Sequence, residues 1–258
     1  MRHTTPAPFA LVTALVTALV TALVLAALPA RAAAQIPEKF ENLQYFPKDI
    51  ARDSLVQRMR GFSFALGVRC QYCHAGGDGV SFEGVNFASD DKPAKRNARF
   101  MLRMVDSLNT HAFVGLAQRR TPPVQLECVT CHRGSSVPTT LARTLAATIE
   151  SKGVDSAVAQ YRRLRQTMEL GRYDFGEWSM NELARTLGQQ GKTAEAIAML
   201  ELNGEFYKTP SIDQMLGELY VLRGDSASAL ARFRMMLEKQ PNNPMVQRRI
   251  DELSRKAP

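Results

Sequence analysis

The chain has 258 residues, 45% of them hydrophobic and 22% charged, and a formal net charge of +8 at pH 7. Its length leaves room for two modest domains. With Arg2 and Arg31 set aside, residues 35–138 carry 14 basic and 10 acidic side chains, and residues 139–258 carry 17 and 15. So mild an excess implies no nucleic-acid partner and supports no more than weak docking to an acidic one.

The N-terminus opens with Arg2 and His3, runs apolar from Phe9 to Leu28 on a repeated Ala-Leu-Val-Thr unit, and closes on Ala30-Arg31-Ala32-Ala33-Ala34. That is the layout of a secretory signal over residues 1–34, cut after Ala34. An uncleaved anchor is the alternative, because the apolar run approaches the ~20 residues that span a bilayer. Residues 35–50, with Pro37 and Pro47, read as an extended lead-in. Leu55, Met59, Phe62 and Leu66 then recur at helical spacing, and Gly67 stops that helix. Cys70-Gln71-Tyr72-Cys73-His74 follows at once and is expected on a short second helix. Gly76, Gly77, Asp78 and Gly79 mark a loop, and Phe82 to Ala88 reads as irregular. Asp90 and Asp91 ahead of Pro93 start a helix that runs to about Leu108, with Met101, Met104, Val105 and Leu108 along one side. Pro122-Pro123 breaks the chain before Cys128-Val129-Thr130-Cys131-His132, and Arg133-Gly134 closes that segment.

Both cysteine segments are C-x-x-C-H runs, the attachment pattern of a c-type haem. Two thiols one short turn apart add across the vinyl groups of one porphyrin, and the following histidine binds the iron. A four-cysteine zinc site fits poorly. The 54 residues between Cys73 and Cys128 exceed the ~15–20 of ribbon-type sites, and both histidines would be left without a role. Paired disulfides leave the histidines equally unexplained. The expectation is two covalently bound haem c groups, held by Cys70 and Cys73 and by Cys128 and Cys131, with His74 and His132 as axial ligands. Covalent attachment of this kind also calls for export, to the periplasm or the outer face of the cytoplasmic membrane.

The second axial ligands follow by subtraction. Residues 35–138 hold one further histidine, His111, so two bis-histidine haems are impossible. Three methionines remain: Met59, Met101 and Met104. Methionines on apolar faces are ordinarily core filler, but here the irons need ligands and candidates are few. Met59, 15 residues ahead of His74, is assigned to the first haem, and Met104, 28 ahead of His132, is preferred to Met101 for the second. His111 is expected at the surface.

Residues 139–258 change character. They are alanine- and leucine-rich, free of cysteine and histidine, and repetitive. Leu183-Ala184, Gly191 and Ala196 have counterparts 33 residues on at Leu216-Gly217, Gly224 and Ala229, with Tyr220, Phe233 and Pro241 completing the second copy. Leu145-Ala146, Gly153, Ala157 and Tyr161 form a degenerate earlier copy, and Pro244 to Lys256 a polar-faced capping helix. The pattern resembles the tetratricopeptide repeat, a helix-pair solenoid with a docking face for a protein or peptide. A plain helical bundle is the alternative.

From Asn42 to Gly134 the chain resembles the cytochrome subunit of bacterial photosynthetic reaction centres. The resemblance is carried by Met59-Arg60 leading to the first C-x-x-C-H, by Ala98-Arg99-Phe100-Met101-Leu102-Arg103-Met104, and by Cys128 to Gly134. In that family a helix supplies the distal methionine and a turn delivers the haem-binding helix, which implies Met59 and Met104 as ligands. The family subunit usually has four haems in two pairs, whereas this chain has one pair. The chain is therefore expected to be all-α, with a di-haem multihaem-cytochrome-like domain at 35–138 and a tetratricopeptide solenoid at 139–258. The implied role is electron transfer with redox partner proteins, a membrane-bound electron-transfer complex among them. A peroxidase-like di-haem enzyme and a haem-based redox sensor or scaffold are the competing functions.

Overall fold

The computed structural model describes residues 36–116, 121–167 and 171–256. The signal segment at 1–34 lies outside them. Among the described residues there are ten α-helices and one short two-stranded ribbon, so the chain is mostly helical. None of these helices is long and apolar enough to cross a membrane. The chain divides into two compact units: one contains the described residues up to Gln57 with Arg69–Ser107, the other Arg58–Val68 with Leu108 onward.

Helix α1, Arg52–Leu66, passes from the first unit into the second. It buries Leu55 and Ala65, and Met59, Phe62 and Leu66 are half-buried. Gly67 ends it with φ +64, a left-handed conformation that glycine adopts without strain. Within the first unit, strand β1 (Ala75–Gly76) pairs antiparallel with β2 (Val85–Asn86), which gives the 82–88 stretch more regularity than its sequence suggests. Helix α2, Pro93–Ser107, begins on a proline whose fixed φ suits the first helical turn. Its cations tie the unit together through the backbone. Arg99 donates to the Asn42 carbonyl at 3.0 Å and Arg103 to the Gln44 carbonyl at 3.2 Å, and Lys95 reaches the carbonyls of Phe87, Ala88 and Ser89.

The second unit resumes past α2 with a wide helical turn, Leu108–Ala112, and a 3₁₀ turn, Phe113–Gly115. The Asn109 side chain grips residue 126 from both sides, donating to the Leu126 carbonyl at 2.9 Å and accepting its N–H at 2.8 Å. Short helix α3, Cys128–His132, follows. Six helices then run in consecutive pairs: α4 (Leu141–Lys152) with α5 (Val154–Gln166), α6 (Glu177–Gln189) with α7 (Thr193–Phe206), and α8 (Pro210–Leu222) with α9 (Ser226–Lys239). Helix α10, Pro244–Lys256, packs on α9 through Val246, Ile250 and Leu253.

The repeated residues do matching jobs. Gly153, Gly191 and Gly224 turn the chain between paired helices with φ of +84, +76 and +80. Ala157, Ala196 and Ala229 are fully buried near the start of each second helix. At Gly217 a Cβ would come 2.7 Å from the Phe233 ring, so the smallest residue sits where α8 and α9 press together. One continuous apolar core extends from Leu141 to Leu253.

Candidate haem-binding site

The first motif follows a tight reversal in which the Val68 N–H returns to the Ser63 carbonyl at 3.0 Å. Cys70–Tyr72 forms a single 3₁₀ turn, not the short helix that the sequence suggests. The Cys73 and His74 N–H groups both return to the Cys70 carbonyl, at 3.1 and 3.0 Å, so both thiols and the imidazole belong to one turn. The ribbon starting at Ala75 and the glycine-rich loop after it stop that turn from extending. The His74 ring lies against Phe87, with centroids 4.9 Å apart, and its Nδ1 is buried without a hydrogen-bond partner. Burial, followed by the nearby Lys95 ammonium, lowers the His74 imidazole to about 4, offset in part by the Phe87 backbone. The ring is therefore neutral at physiological pH, the form that ligates iron. Burial and the neighbouring Cys70 raise the Cys73 thiol, against Lys92 and Lys95. Beside this turn the Arg99 guanidinium holds the Asp90 carboxyl well below the usual carboxylate range.

The second motif is one α-helical turn. The Thr130 hydroxyl accepts the Glu127 N–H at 3.0 Å and fixes its start. Arg133 and Gly134, with φ of +48 and +78, reverse the chain after it. This brings the Ser135 carbonyl to His132, whose Nδ1 donates to it at 2.8 Å. That bond sets the tautomer and leaves Nε2 to bind a metal, the arrangement usual for ligating histidines. The Cys128 thiol is raised by burial.

None of the four cysteines is in a disulfide. Among the described residues no three His, Cys, Asp or Glu converge to hold a metal ion. Met59 is half-buried on α1, and Met101 and Met104 are each 41% exposed on α2, so exposure does not rank the last two. His111 is exposed and bonds Thr110. Ser135 and Phe87, which orient the two histidines, carry no signal in the sequence, because one acts through its backbone carbonyl and the other through long-range packing.

The residues present fit two porphyrins in a further respect. Of 29 apolar side chains buried among the described residues, only Leu55 and Ala65 precede residue 139. Large apolar side chains of this part of the chain are exposed, Tyr72 and Phe100 in the first unit and Val114, Val124 and Val129 in the second. Haem is a large apolar group, and these are the side chains that would cover it.

Residues 68–175 match the family model for the photosynthetic reaction centre cytochrome c subunit. That range contains all four cysteines, His74, Met104 and His132, and begins after Met59. Cytochrome c-554 of Chloroflexus aurantiacus is 44% identical over 73 residues, which are 28% of this chain and 15% of that protein's length. The model match supports the reaction centre cytochrome c family for residues 68–175, and the relative supports a c-type cytochrome.

Proposed function

We propose that this is an exported di-haem c-type cytochrome that carries electrons, with a C-terminal tetratricopeptide array that docks a partner. The observation that carries the reading is the pair of C-x-x-C-H motifs, each folded into a single turn, in a region where few apolar side chains are fully buried. Cys70 and Cys73 would hold one haem, with His74 as an iron ligand, and Cys128 and Cys131 the other, with His132. Bound haem c supplies one-electron chemistry at iron. The polypeptide attaches the ring, fixes the ligand plane through Ser135 and Phe87, and keeps His74 neutral. Met59 and Met104 are assigned as distal ligands, and methionine opposite histidine raises the potential relative to two histidines. If Met59 and Met104 complete the two ligand sets, no ligand position would remain for a substrate, which favours electron transfer over peroxidase-like chemistry.

Residues 139–258 are assigned to partner docking. The matching roles of Gly191 with Gly224, Ala196 with Ala229 and Ala184 with Gly217 support a tetratricopeptide-type stack, and such stacks leave one face free for a protein or peptide. The partner is a redox protein or membrane-bound electron-transfer complex on the periplasmic side.

An intact mass of the exported protein tests this reading, with two haems expected above the polypeptide. Cys70→Ala with Cys73→Ala should remove one haem and leave the other. A mass matching the bare polypeptide or bound zinc would end it. Near-infrared spectra of the oxidised protein should show sulfur ligation, which Met59→Ala should abolish at one haem and Met104→Ala, more than Met101→Ala, at the other. Unchanged spectra would make these methionines packing residues.

A further inference from the structure

The loop that closes the second motif is held from two distant places. The Gly134 N–H donates to the Ala65 carbonyl at the end of α1 at 2.8 Å. The Gly134 carbonyl accepts from the Arg172 guanidinium at 2.7 Å. Arg172 lies between α5 and α6, where Tyr173 and Phe175 are buried in the core of the helical array. The array therefore anchors this segment firmly, and Arg172 extends from it to the loop. The loop has little freedom to shift toward α1 either, because a Cβ on Gly67 would come 2.2 Å from the Gly134 oxygen. The next residue, Ser135, returns its N–H to the His132 carbonyl at 2.8 Å and accepts the His132 Nδ1 proton at 2.8 Å. The backbone that aims the imidazole is thus one peptide unit away from the group that Arg172 holds.

We propose that Arg172 is a positioning residue for the second haem, holding the Gly134–Ser135 peptide so that the Ser135 carbonyl fixes the ring plane and the Nδ1 proton of His132. This rests on the proposed ligation of iron by His132. A firm Nδ1–H···O=C bond raises the basicity of the ligating nitrogen and favours ferric iron. The helical array then takes part in setting the potential of one haem, as well as offering a docking face.

The test uses the full-length exported holoprotein and compares wild type with Arg172→Ala. The control is Arg162→Ala, which removes an exposed ion pair with Glu205 in the same array. Mass gives the haem number, electron paramagnetic resonance of the ferric state reports the ligand plane at each iron, and a redox titration gives both potentials. Arg172→Ala should keep two haems, displace one low-spin signal and raise that haem's potential. The expected rise corresponds to about a tenfold change in its oxidised-to-reduced ratio, ~59 mV for one electron. The other haem and the control should not move. A potential that falls while both low-spin signals stay put is the effect of a lost positive charge alone and overturns the positioning role, as does no change at all. If Arg172→Ala yields no holoprotein, Arg172→Met keeps the apolar stem without the donor and decides by the same criteria. A wild-type mass without two haems would overturn this inference together with the function it rests on, and is read before any variant is compared.

Discussion

Among the described residues, 27 apolar side chains are buried between Leu141 and Leu253, and two between residues 36 and 138. The C-terminal helices are held by their own packing, with alanine or glycine at each close crossing. The motif-bearing region is held by backbone links instead: Arg99 and Arg103 to the lead-in, Asn109 to residue 126, and Gly134 to Ala65. Hydrogen bonds of this kind contribute ~1 kcal/mol each, too little to replace a hydrophobic core. The contrast teaches that the two parts draw stability from different sources. The array has its core in its own side chains, and on the proposed function bound haem would supply that of the other part.

The sharpest way to break this contrast is to delete a core side chain from the array. Phe233 is 2% exposed and packs on Gly217, so Phe233→Ala should cost ~3–5 kcal/mol. Thermal unfolding would show the loss in the array, with both haem potentials unmoved. A smaller effect is expected where the motif region relies on backbone. Gly67→Ala should cost ~1–2 kcal/mol for a side chain at positive φ, with ~1 kcal/mol more if the Gly134 link to Ala65 breaks. It should perturb the second haem's spectrum and leave the array's melting temperature unchanged.

A third comparison sets one exposed aromatic against another. Phe100 on α2 is 66% exposed and Trp178 on α6 is 71% exposed. If haem covers Phe100, Phe100→Ala should lower holoprotein stability by ~1.5–3 kcal/mol. Trp178→Ala, a surface change, should stay within about ±0.5 kcal/mol. Equal small effects, measured by denaturant titration, would place Phe100 outside the haem surface.

The smallest effect concerns acid. Asp225 caps α9 by accepting the Ser228 N–H at 3.0 Å, and that bond holds its carboxyl below the usual range. A carboxylate with a lowered folded-state value contributes stability that is present above the ordinary carboxylate range and lost as pH falls through the lowered value. Asn caps about as well as Asp. Asp225→Asn should therefore leave melting near pH 7 almost unchanged and flatten the acid side of the profile. An unaltered acid slope would remove Asp225 from the account.

The candidate site was legible in the sequence as the spacing of Cys70, Cys73 and His74 and of their second copy, each of which the structure folds into a single turn. Helix ends were legible where one residue decides them, at Gly67 and Pro93. The 33-residue period was legible because close helix crossings demand alanine or glycine at fixed places. Other features were not. The first motif's 3₁₀ turn depends on the ribbon formed by residues 75–86, a pairing with no strong strand pattern. The Ser135 carbonyl and the Gly134 links act through backbone, which every residue has, and Arg172 meets Gly134 across 38 positions.

The central claim is that haem supplies the core of the motif-bearing region and side chains supply that of the array. Hydrogen exchange tests it most directly, on the holoprotein and on a chain with Cys70, Cys73, Cys128 and Cys131 all replaced by alanine. Amides that open locally exchange fast, and those in a packed core slowly. Without haem, slow exchange should disappear across residues 36–138 and persist from Leu141 to Leu253. Protection that survives in residues 36–138 of the cysteine-free chain would contradict the account.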